Sequence, residues 1–140
     1  MSLARRRLVP PPGRGVRAQE QGSAVVDFVL VSVLLLVLFL GVLQVVLAVH
    51  VRAIVIDSAA EGARLAGTAD RTTEDGVART RALIDAALSE RFAQDVSARE
   101  IDHDGLRVVE VTVTFPLPVV GLLGPSGAVT VDGHALKEEQ

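Results

Sequence analysis

At 140 residues the chain is too short for a large enzyme fold, and it leaves room for one small domain beside an apolar segment. Hydrophobic residues make up 49% with almost no aromatics, and their excess is gathered in one run, which points to a membrane protein with an appended domain. The net charge of -3 conceals a basic head (Arg5, Arg6, Arg7, Arg14 and Arg17 against Glu20) and an acidic body after His50, which argues against nucleic acid as the body's partner; without cysteine, disulfides and thiolate metal sites are excluded.

The first element is the apolar run. Residues 28–49 carry no charge, and their only polar side chains are Ser32 and Gln44, with Gly41 between them. As a helix this run spans about 33 Å, enough for a hydrocarbon core of about 30 Å. Arginines cluster before it, whereas Arg52, Asp57, Glu61 and Arg64 after it nearly cancel, so the amino terminus is expected in the cytoplasm and the carboxyl portion outside. Two other readings compete: a cleaved secretory signal, whose apolar core is usually about 7–15 residues, and a buried core helix, which the small remainder of the chain could not cover on all faces.

Helix-forming composition continues past the run. Val51, Ile54, Val55, Ala59, Ala63 and Ala66 recur at helical spacing, with Asp57, Glu61 and Arg64 on the remaining face, so one long helix is expected from near Ala24 to about Gly67. Gly67 suits its C-terminal cap, and Glu61 can pair with Arg64 across one turn. Thr72 and Asp75 form a capping-box pattern, with Glu74 adding negative charge at the dipole's positive end. A second amphipathic helix is expected over 73–94, with Val77, Ile84, Leu88 and Phe92 on one stripe and Leu83 and Ala87 beside it.

The period then changes to two. Val109, Val111, Val113 and Phe115 alternate with Val108, Glu110, Thr112 and Thr114, a half-buried strand ending at Pro116. Asp104-Gly105 is a hairpin signal, so 100–103 is expected to pair back as a short strand. The proline- and glycine-rich stretch 116–127 is a loop, and 128–136 offers a third strand. The expected fold class is α+β: a long helix, transmembrane in its first half and amphipathic beyond, then a second helix and a small three-stranded antiparallel sheet. The expected domains are a basic cytoplasmic leader (1–22), the long helix (23–67, spanning at about 28–49) and a small extracytoplasmic domain (68–140).

Few residues invite chemistry. Asp102-His103-Asp104 could ligate a metal or supply a base, but Asp and Gly are also what a solvated hairpin tip requires. His50 falls at the lipid–water boundary and His134 in or beside the last strand. No serine stands in a nucleophile-elbow context, and GPSG at 124–127 is not a phosphate loop. No catalytic residue, cofactor or metal site is therefore expected, and a metal-dependent enzyme built on His103 is a distant alternative. Asp27 stands apart, because a carboxylate costs about 2.5–3.5 kcal/mol at the bilayer centre and less near an interface. It either sits at headgroup level or meets a partner.

The stretch Gly22-Ser-Ala-Val-Val-Asp27-Phe28, after an Arg-rich leader and before a long apolar helix, resembles the processing site of type IV prepilins and pseudopilins. The continuation resembles the TadE family of tight-adherence (Tad, or Flp) pilus systems, in GSAVVDFVLV, AAEGARLAG at 59–67, VEVTVTFPLP and the closing VTVDGHAL. Prepilins usually carry glutamate where this chain has Asp27, which keeps the charge and shortens its reach. The resemblance implies a structural, non-enzymatic minor pilin or pseudopilin, cut between Gly22 and Ser23 by a membrane-embedded prepilin peptidase. It also implies a place in pilus assembly or export, with other pilins, a secretion ATPase and inner-membrane platform proteins as partners. Against it stands a plain single-pass anchored or secreted binding domain, for which Gly22 and Asp27 are coincidental.

Overall fold

The computed structural model describes residues 15–117 and 127–138, and side chains from residue 22 onward. Most of the expected leader and residues 118–126 of the expected loop lie outside the described residues. The elements are α1 (Gly15–Gly67), α2 (Thr73–Ala87), a 3-10 turn (Glu90–Phe92), β1 (Asp95–His103), β2 (Leu106–Pro116) and β3 (Ala128–Leu136). Both strand pairings are antiparallel, in the order β1-β2-β3. The fold is thus α+β, as expected. Two compact units divide at Leu40/Gly41.

The first unit is helical, and every described side chain in it, from 22 to 40, is exposed. The helix begins at Gly15, earlier than the expected Ala24. No proline interrupts 15–23, and Ala, Gln, Glu and Arg there are good helix formers, so nothing in the local sequence stops the helix at the start of the apolar run.

The second unit holds the core. Val51, Val55, Ala59, Ala63 and Ala66 of α1 are buried with Ile84 of α2, Phe92, Val96, and Val109, Val111, Val113 and Phe115 of β2. The recurrence of alanine on the buried stripe of α1 allows close approach. Gly62 and Gly76 carry this furthest, since a Cβ on Gly76 would stand 2.7 Å from the Gly62 carbonyl and 2.8 Å from Ala66 Cβ. Here α1 and α2 meet nearly backbone to backbone. Thr80 closes the contact with its buried hydroxyl, which donates to the Gly76 carbonyl (2.9 Å) or the Ser58 carbonyl (3.3 Å). The capping box forms, with the Thr72 N–H donating to Asp75 Oδ2 (3.0 Å) and the Asp75 N–H to Thr72 Oγ1 (3.3 Å).

The second helix is shorter than its pattern suggests. It ends at Ala87 instead of reaching 94, and Phe92 is buried from the 3-10 turn, where its ring lies 6.4 Å from that of Phe115. Ile84 of the expected stripe is buried, Val77, Leu83 and Leu88 are half-buried, and Ala87 is exposed. Correspondingly β1 starts at Asp95, well before the expected 100. The cause is tertiary: β2 is long and buried, and its backbone groups facing β1 need partners as far as Thr114, opposite Asp95. Pairing to β2 satisfies more backbone than two further turns of α2 would. The hairpin itself follows the Asp104-Gly105 signal, since both residues have positive φ (54° and 80°), as a two-residue type I′ turn demands.

Candidate functional site

Gly22, Ser23, Asp27 and Phe28 all lie on α1, beyond its first turn, and all are exposed. Gly22 has open space around it, since an added Cβ would meet nothing within 4 Å. Ser23 and Asp27, four residues apart, share one helix face. Phe28 is 73% exposed and begins an outward-facing apolar surface that includes Val29 to Leu40 without a single buried residue. This is the one helix among the described residues long and apolar enough to cross a membrane.

Polar groups along this surface differ in how they are satisfied. The Ser32 hydroxyl donates to the Phe28 carbonyl (2.7 Å), so it needs nothing from outside the helix. Asp27 is acceptor-only when ionised, and no described side chain reaches it. The helix thus presents one carboxylate at the head of an apolar cylinder, one turn from Ser23.

The outer domain adds a constellation that sequence reading passed over. On the sheet face away from the helices, Glu110 in β2 lies between Arg99 of β1 and His134 of β3, its register partners. Glu110 Oε1 accepts from Arg99 Nε (2.7 Å) and lies 2.6 Å from Nη2, while Oε2 is 2.9 Å from His134 Nε2. The hydrogen bond with His134, followed by the bond and charge of Arg99, holds the Glu110 carboxyl below the usual glutamate range despite its burial. Glu74 is lowered as well, chiefly by its own backbone N–H and then by the Thr72 and Thr73 hydroxyls at the start of α2. Lys137 is the second missed residue. Its ammonium donates to the carbonyls of Ala66 and Arg71 (2.9 Å each) and lies 3.4 Å from Glu100, tying β3 to the end of α1.

Asp102 accepts from the Gly105 N–H (3.0 Å), the role a hairpin tip gives it, while His103 and Asp104 face solvent. His50 is exposed on α1. Among the described residues no group of three His, Asp or Glu side chains is placed to hold a metal ion. Glu61 and Arg64 pair at 3.5 Å.

The family model described as TadE-like protein matches residues 22–64, which is the family that the motifs at Gly22–Phe28 and Ala59–Gly67 resemble. The matched stretch begins at Gly22 and runs through the apolar surface into the buried stripe of α1; the strand motifs lie outside it. No curated protein and no solved structure matches the chain. A TadE-like helix headed by a long apolar run fits a pilin-like structural protein related to Tad pili and anchored in a membrane.

Proposed function

We propose that this chain, TadE-like along its long helix, is a minor pilin or pseudopilin that takes part in assembly or export of an Flp-type pilus. The observation that carries the reading is the set Gly22, Ser23 and Asp27 at the head of an apolar run exposed from 22 to 43, inside the family match. In this reading residues 1–22 are a basic cytoplasmic leader, residues 28–49 span the cytoplasmic membrane, and 68–140 belong to the extracytoplasmic domain. A prepilin peptidase cuts between Gly22 and Ser23 on the cytoplasmic side.

Cleavage creates an ammonium at Ser23 one helical turn from the Asp27 carboxylate. Either charge alone is costly in a helix bundle within lipid, and the pair is far less so. Asp27 meets the Ser23 amine of its own chain or of a neighbouring pilin helix, and so sets register during docking. Its role is in assembly, and the secretion ATPase and platform proteins of a Tad system are the machinery it works with.

Sequencing the mature amino terminus tests the proposal. A start at Ser23 supports it, whereas an intact leader points to a plain membrane anchor and a start beyond Val49 to a secretory signal. Substituting Asp27→Ala is expected to leave membrane insertion intact and to reduce co-purification with partner pilins and pilus output, with Asp27→Glu retaining both. Unchanged co-purification and output in Asp27→Ala would sink the assigned role of the acid.

A further inference from the structure

Within the second unit, β3 runs alongside the end of α1 in the same direction. The backbone of Gly133 lies against Ala59 and Ala60, and three residues later Leu136 lies against Gly67. Just beyond, the Glu138 N–H donates to the Gly67 carbonyl (2.7 Å) and Lys137 Nζ to that of Ala66 (2.9 Å). From Ala59 to Gly67 the helix rises about 12 Å, and from Gly133 to Leu136 the strand advances about 10 Å, so the two elements advance together. Running back from Gly133 to Ala128 covers about 17 Å, equivalent to about 11 helical residues. That brings Ala128, and Pro116 paired with it, within a turn of the level of Ala48 on α1. Burial agrees, since Val51 is only 6% exposed, so the core extends to that level. The β2–β3 end of the sheet therefore stands where the apolar run of α1 stops.

On β2 and β3 the two sheet ends differ in the sense a membrane would require, while on β1 the near end carries the exposed Asp95 opposite Thr114. The far end carries Asp102, His103, Asp104, Arg107, Lys137 and Glu138. From Val111 to Val131, the stretch containing the near end of β2 and β3, the sequence has no charged side chain. Pro116 and Ala128 are exposed there, Leu117 is half-buried, and the Thr114 and Thr130 hydroxyls bond each other at 3.1 Å. The Leu117 N–H donates to the Gly127 carbonyl (3.1 Å), so the pairing continues one step past the strands at this level. A solvated hairpin end is built from Asp, Asn and charged residues, as the far end is.

We infer that the β2–β3 end of the sheet is a second membrane-contacting surface, seated on the lipid of the leaflet from which α1 emerges. This rests on the reading that α1 spans a bilayer at 28–49. Contact at Pro116, Leu117 and Ala128 fixes the orientation of the outer domain against the lipid surface and turns the charged β1–β2 tip away from it. A domain carried on a single helix otherwise tilts freely. Here helix and sheet end hold it at two points.

The chain has no cysteine, so single labels can be introduced without removing native ones. Nitroxide probes at Ala128→Cys, Pro116→Cys, Asp104→Cys and Leu35→Cys in the full chain, reconstituted in phosphatidylcholine vesicles, would be tested for collision with oxygen and with a water-soluble nickel chelate. Labels at 128 and 116 are expected to collide with nickel several-fold less than the label at 104, and with oxygen more. If both collide with nickel as freely as the label at 104 while the label at 35 is lipid-exposed, the surface is refuted and the spanning helix stands. A label at 35 open to nickel overturns the spanning helix itself, and the surface with it.

Discussion

Replacing Glu110 by glutamine removes one charge from the centre of the sheet and changes the side chain's volume little. Glu110 is nearly buried, with 11% of its side chain exposed, and it bonds Arg99 and His134 on the two neighbouring strands. A hydrogen bond to a charged group contributes about 1.5–3 kcal/mol. Arg99, however, is 71% exposed, so solvent screening reduces its share to about 0–1 kcal/mol. Glutamine keeps one acceptor oxygen and turns an NH2 toward one of the two former donors. The expected net loss is about 1–2 kcal/mol, or about 5–30-fold more frequent opening of the sheet. Hydrogen exchange of β2 peptides in the full chain in detergent micelles, corrected for intrinsic rates, reads this directly. The sign of the pH dependence follows from the depressed carboxyl. Because its folded value lies below its unfolded one, its stabilisation is complete above the unfolded value and is lost as pH falls through the folded value. The gap between the chain and Glu110→Gln should be widest near neutrality and close on acidification. Equal exchange at neutral pH, or a gap that persists unchanged in acid, would refute the argument.

Gly76→Val would drive a side chain into the Gly62 carbonyl and Ala66, and overpacking of this kind costs about 3 kcal/mol, read as a lower thermal midpoint of the circular dichroism signal; an unchanged midpoint would mean that α2 can move away from α1. Thr72→Ala removes half of the capping box and should cost about 1 kcal/mol, seen first as faster exchange of the Asp75 and Gly76 amides. Lys137→Met keeps the aliphatic stem and leaves the Ala66 and Arg71 carbonyls without their ammonium, a loss of about 2 kcal/mol that should loosen residues 65–72. Wild-type exchange in that segment would place its stability elsewhere.

Much of this was legible because it depends on local spacing. The buried stripe of α1 from Val51 to Ala66, the capping box at Thr72, and the alternation Val109 to Phe115 each follow from a period that the element's own geometry imposes. Even the Arg99–Glu110 pair was implicit, since a two-residue turn at Asp104-Gly105 sets Arg99 opposite Glu110 once β1 is long enough to include it. The strand was expected to start at 100, so the pair was missed by one residue. His134 could not be found this way, because the connection between β2 and β3 is long and leaves their register open. Lys137 meets α1 from 71 residues away in sequence, which no periodicity records.

The apolar run, its basic flank, and the placement of Asp27 relative to Gly22 can be read from the order of residues, because a helix surrounded by lipid or solvent takes its faces from its own residues. The tertiary structure alone decided where α2 gives way to β1, how Glu110 joins three strands, and which end of the sheet stands level with the end of the apolar run. Those features depend on backbone groups of one element finding partners on another, and on how far a strand advances for each turn of helix beside it.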